Sequence, residues 1–153
     1  MVAQHAVTTT RSSGGLVGRV VLTLGGAAGM VVGAFLNWRH TTAGTSLTNH
    51  AFYKEAFGTT GDFVSTAGFV LIVLGLAALV GLASGSGWLT RLAGVLGVAA
   101  VVLYGIQVYR ADTSLTAVTA GAWVALAGGV VALIGGSMGR RTVVATPVET
   151  VDD

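Results

Sequence analysis

Four apolar stretches, 16–36, 63–83, 92–109 and 118–136, constrain this chain more than any other feature. A helix needs roughly 20 apolar residues to cross about 30 Å of hydrocarbon, with every backbone polar group satisfied inside the segment. Each stretch has about that length. The single charge within them, Arg19, falls in the first turn of the first stretch, from where its long side chain can snorkel to the interface. The expected fold is therefore all-α, an integral membrane bundle of four transmembrane helices. Composition agrees: the 153 residues are 53% hydrophobic and 9% charged, against about 25% charged in a soluble domain, too few to clothe a globular surface. The first stretch is longer than the 7 to 15 residues usual in a signal-peptide core and reads as a span.

The cations divide unevenly between the two sides that four spans create. Arg11, Arg19, Arg91, Arg140 and Arg141 share the side of the termini, while Arg39, Lys54 and Arg110 lie on the other. The positive-inside rule then places both termini of this multi-pass chain in the cytoplasm. The bias to Gly, Ala, Val, Leu and Thr, with one lysine against seven arginines, looks like the coding habit of a GC-rich bacterium, so the expected membrane is a bacterial plasma membrane. The tails 1–15 and 137–153 are polar, small and poor in aromatics, the composition of segments that stay mobile unless a partner holds them.

Several chemistries lack their residues. Cysteine is absent, which removes disulfides, thiolate nucleophiles and thiolate metal sites. No ionisable residue lies near the middle of a span, where proton relays and ion pathways place theirs. His40 and His50, with Glu55 and Asp62, match no zinc or copper spacing, and the abundant Ser and Thr have no base and orienting partner at suitable spacing. The basic residues are scattered, whereas a nucleic-acid site gathers them on one solvent face. The expectation is a chain that is not an enzyme, with no catalytic residue, no metal, no cofactor of its own and no nucleic-acid partner.

Small residues recur at helical spacing. Gly25, Gly29 and Gly33 form a ridge on the first span, and Ala117, Gly121, Ala125 and Gly129 form one on the fourth, with Gly128, Ala132 and Gly136 offset by one residue. In lipid, where apolar surface alone does not drive helices together, such ridges let backbones approach. They predict a tightly packed bundle.

The long connection is 37–62, and long loops concentrate binding residues. Its segment AFYKEAF, capped by Asn49, predicts a short interfacial helix. Trp38, Arg39, His40, Phe52, Tyr53 and Phe57 are the candidate partner contacts, since Trp, Tyr and Arg dominate interface energetics. The competing reading is an aromatic belt, with Trp38, Tyr53, Trp88 and Tyr109 settled at the membrane surfaces. The tetrapeptide TSLT occurs at 45–48 and again at 113–116, each time after a span on the same side. A duplicated helical hairpin would produce that, but so would a thin alphabet together with Asp112, Thr113 or Ser114 capping the fourth helix.

The fourth-span pattern TAGAWVALAGGVVALIGG, with NW closing the first span before a polar loop, resembles a broad group of small four-helix membrane proteins of actinobacteria. One type is an accessory association factor of the respiratory supercomplex that joins the cytochrome bcc complex to an aa3-type oxidase. The resemblance implies a noncatalytic accessory subunit whose partners are other integral membrane subunits, those of cytochrome bcc or the aa3 oxidase, together with lipids. Haem, copper and quinone would belong to those neighbours. The alternatives are a small homo-oligomeric transporter or channel, and an orphan envelope protein.

Overall fold

The structure, a computed structural model, describes residues 13–54, 58–112 and 115–138. Helix α1 (Ser13–Phe35) leads into a small antiparallel hairpin of β1 (Asn37–Arg39) and β2 (Thr42–Ala43), followed by 3-10 turns at Gly44–Ser46, Asn49–Phe52 and Phe63–Ser65. Helices α2 (Ala67–Ala83) and α3 (Gly87–Asp112) come next, and a turn at Leu115–Ala117 precedes α4 (Ala120–Ser137). Three segments, Gly15–Phe35, Gly87–Ala111 and Ala120–Ser137, are long and apolar enough to cross a membrane, the mark of a membrane protein. The 17 residues of α2 are apolar but shorter.

The boundaries of α2 and α3 differ from expectation for local reasons. Phe63 and Val64 are apolar but precede α2, because Asp62 caps a separate 3-10 turn, its carboxylate accepting from the Val64 N–H. The Thr66 hydroxyl then caps α2 by accepting from the Phe69 N–H at 3.1 Å. At the far end Gly85 takes φ +70°, a left-handed conformation suited to glycine, and α3 starts at Gly87 rather than residue 92.

The helices form a closed ring. Each packs on its sequence neighbour, α4 returns against α1, and the diagonal pairs barely touch. The seam between α1 and α4 is backbone on backbone. A methyl group at Gly26 would lie 2.4 Å from the Ala132 nitrogen, one at Gly33 2.6 Å from the Ala125 nitrogen, and one at Gly128 2.5 Å from the Met30 nitrogen. Gly29 joins this seam against Gly128, while Gly121 lies instead against the Leu36 and Asn37 carbonyls and the Trp38 ring beyond the end of α1. Gly129 turns the other way onto Val98 of α3, so the small residues of α4 serve more than one neighbour. Gly25 does not belong to the ridge: a methyl there meets nothing within 4 Å, and Gly26 holds the inward position.

One contact is built twice. Gly135 of α4 faces Thr23 of α1, and Gly81 of α2 faces Thr90 of α3, each glycine lying where a methyl would sit under 3 Å from both the threonine hydroxyl and its nitrogen. The local sequences match as well: ALIG at 132–135 and ALVG at 78–81, with Leu-Thr at 22–23 and 89–90. The first hairpin is thus echoed in the second at the level of contacts. Buried side chains divide into two clusters along the bundle. One, with Trp38, Leu71, Tyr104 and Val108, lies under the long loop; the other, with Ala27, Met30, Ala78 and Ala132, lies toward the termini.

Candidate functional site

At the loop end the chain folds back on its own helices. Leu47 and Thr48 bridge to Thr59 and Thr66, and the Ala67 N–H donates to the Leu47 carbonyl at 2.8 Å. Leu47 and Ala51 are buried by this folding. Where the predicted interfacial helix would begin, the structure has the 3-10 turn at Asn49–Phe52, capped by the Thr48 hydroxyl rather than by Asn49, and residues 55–57 of that segment lie outside the described residues. The loop is a cap on the bundle.

Trp38 is its centre, and the structure corrects the rim position expected for it. The residue is 0% exposed, so its ring is not offered to a partner. Its indole N–H donates to the Gly33 carbonyl at 2.8 Å, satisfying the one polar group that burial would otherwise strand. The ring lies 5.0 Å from Tyr104 and 6.5 Å from Phe52, centroid to centroid. The Trp38 carbonyl accepts from the Thr119 N–H at 3.0 Å and, at the limit of bonding, from the Tyr104 hydroxyl at 3.5 Å. The Thr119 hydroxyl donates to the Asn37 carbonyl. Thr119 therefore starts α4 without a side-chain cap and ties it to β1 instead; of the residues proposed for that capping, Thr113 and Ser114 lie outside the described set.

The other candidate contacts separate around Trp38. Phe52 is half-buried against it, Arg39 is half-buried beside it in β1, and His40 is exposed at the hairpin turn with φ 38°. Tyr53 points away, 64% exposed, its ring tilted against His50 at 5.3 Å between centroids, while Phe57 lies outside the described residues. Trp88 and Tyr109 are exposed, as a belt requires. Among the described residues no three metal-ligating side chains gather.

Two further features of the bundle bear on binding. The first is an apolar groove of about 420 Å³ between the loop-end halves of α3 and α4, with Gly105 and Ala122 on its walls and Tyr109 and Trp123 among its lining residues. A methyl at Gly105 would meet nothing within 4 Å, so this mid-helix glycine serves no close approach among the described residues.

The second is at the opposite end, where two arginines meet different fates. Arg91 reaches the C-terminus of α4, its Nε donating to the Gly136 carbonyl at 2.8 Å and its Nη2 to the Ser137 carbonyl at 3.0 Å. A cation is favoured there by the helix dipole and by carbonyls that have no partner inside the helix. Arg19 does not snorkel as expected: it is 6% exposed, and its Nε and Nη2 have no hydrogen-bond partner among the described residues. Thr23, one turn along on the same buried face, is 0% exposed and its hydroxyl is likewise unpartnered. Sequence position alone pointed Arg19 outward, because it is close to the start of an apolar span; its placement on the inward stripe with Thr23 and Ala27 could be read from helical spacing.

No known protein family, curated protein or solved structure matches this chain.

Proposed function

We propose that the chain is a noncatalytic accessory subunit of a larger membrane complex, with all four helices spanning the bilayer and both termini in the cytoplasm. The groove at Gly105 carries this reading. A glycine in the middle of a spanning helix lowers helix stability unless a close approach uses it, and among the described residues none does. A transmembrane helix of a partner, crossing at Gly105 between Tyr109 and Trp123, supplies that approach. The 3-10 turn at Phe63–Ser65, packed through Phe63 on Phe69 at 5.6 Å, extends the apolar length available with α2 and supports counting it as a fourth span. The orientation rests on the excess of arginines on the side of the termini. The resemblance of the fourth span to small actinobacterial proteins directs the choice of complex to the respiratory bcc–aa3 supercomplex.

Extraction in a mild detergent, followed by identification of copurifying chains, tests the role. Stoichiometric recovery with haem-containing respiratory subunits is expected. A Cβ at Gly105 meets no described atom within 4 Å, so Gly105→Phe projects its ring toward the groove and should cut that recovery roughly tenfold, the effect of losing about 1.4 kcal/mol of association. Unchanged recovery removes the groove from the interface. A homo-oligomer that carries a solute across liposomes replaces the subunit reading altogether.

A further inference from the structure

We infer that Arg19 and Thr23 form a binding site for the phosphate of an anionic phospholipid, drawn from the leaflet on the side of the termini. A guanidinium stays protonated at any physiological pH, so burial cannot be relieved by loss of the charge. An unpaired buried charge is among the least favourable arrangements a fold can contain. Arg19 is held in that arrangement. The α4 carbonyls of Gly136 and Ser137, which would suit it, are already taken by Arg91, and the Gly135 carbonyl accepts from the Met138 N–H. The acidic residues of the described chain, Asp62 and Asp112, lie at the loop end of the bundle. Among the described residues, none supplies Arg19 with a counter-charge.

The geometry of the free donors selects its shape. Nε and Nη2 occupy one edge of the guanidinium and form the two-pronged donor that matches two oxygens of one phosphate, and the unpartnered Thr23 hydroxyl, beside Gly135 one turn along the same face, is the next donor on that face. The depth suits a lipid. Arg19 stands four residues beyond the start of the apolar segment at Gly15, about 6 Å along the helix axis, within reach of the headgroup layer for a side chain of its length. Leu16, Val17, Val21 and Leu24 are exposed on the outward side of the same turns and offer acyl chains their surface. Met138, exposed and flexible, is the side chain nearest Gly18, and it covers the approach. This site is independent of the accessory role and of the groove at Gly105.

The test uses the full chain, stripped of lipid in an uncharged detergent and examined by native mass spectrometry with added phosphatidylglycerol or with phosphatidylcholine, whose choline offsets the phosphate charge. One phosphatidylglycerol should be retained with roughly tenfold preference, the scale of a charge-assisted bond pair. Arg19→Met should abolish the preference and Arg91→Met should leave it. Should Arg19→Met not fold, Arg19→Lys keeps the charge without the fork, and Thr23→Val removes only the third donor; each should weaken retention several-fold. Equal retention by the native chain and these variants overturns the proposal. So does inorganic phosphate competing as well as the lipid, which assigns the site to a free anion. A preference that emerges only after removal of residues 142–153 also overturns it, because the carboxylates of Glu149, Asp152 and Asp153 would then be the occupants.

Discussion

The α2–α3 seam and the α1–α4 seam have the same construction at the end of the bundle nearest the termini, and they differ in one respect. In both, a glycine lets a threonine backbone come close: Gly81 to Thr90 in one, Gly135 to Thr23 in the other. The Thr90 hydroxyl donates across the seam to the Ala78 carbonyl at 3.3 Å. Among the described residues the Thr23 hydroxyl makes no bond, and the cation one turn away makes none through Nε or Nη2. Because the seam geometry is shared, a threonine in that position can be satisfied by the opposite helix. Where it is not, as at Thr23, the hydroxyl remains a donor for the ligand inferred above.

Substitutions can break the likeness or sharpen the difference. Gly81→Val and Gly135→Val should be the most damaging, by about 3 kcal/mol each, since the added carbons overlap backbone atoms that cannot move aside. Near-equal losses in an unfolding titration with denaturing detergent, followed by tryptophan fluorescence, would establish the two seams as equivalent; a large inequality would dissolve the comparison. Arg91→Met should lose about 2 kcal/mol by freeing two helix-terminal carbonyls, discounted for the partial exposure of the bonds. Arg19→Met, the same exchange at the same end, should act in the opposite direction. In lipid-free detergent it should raise stability by about 1 kcal/mol, and the gain should vanish when phosphatidylglycerol is present. Thr90→Val should cost about 0.6 kcal/mol, the usual worth of a side-chain hydrogen bond between membrane helices, whereas Thr23→Val should be neutral without lipid.

Helices α1, α3 and α4 were legible in the sequence because spanning length is set by the bilayer and by backbone hydrogen bonding, which leave composition little freedom. The start of α2 was less so. Phe63 and Val64 are as apolar as the helix itself, and only the hydroxyl of Thr66 decides where the helical bonds begin. Gly25 and Gly26 are adjacent, so a four-residue ridge drawn from either looks alike, and the choice between them was made by α4. Trp38 followed the same logic. An aromatic residue after a span has the composition of a belt whether it stays at the surface or turns inward. What turned it inward is distant in sequence: a backbone carbonyl at Gly33, the ring of Tyr104, and the absence of side chains at Gly44 and Gly121, either of which would clash with the indole if given a Cβ. The Arg19–Thr23 pair depended on which face α1 buries, a property of the assembled ring.

The glycine seam also dictates an order of assembly. Gly26 and Gly33 find their partners only on the last helix of the chain, whereas α2 and α3 meet across a turn of a few residues. During synthesis α1 therefore enters the membrane with its closest-fitting face uncovered and keeps it uncovered until α4 emerges. A chain halted before residue 120 would carry an open glycine track in the bilayer, available to any helix with small residues of its own, and so recognisable as unfinished.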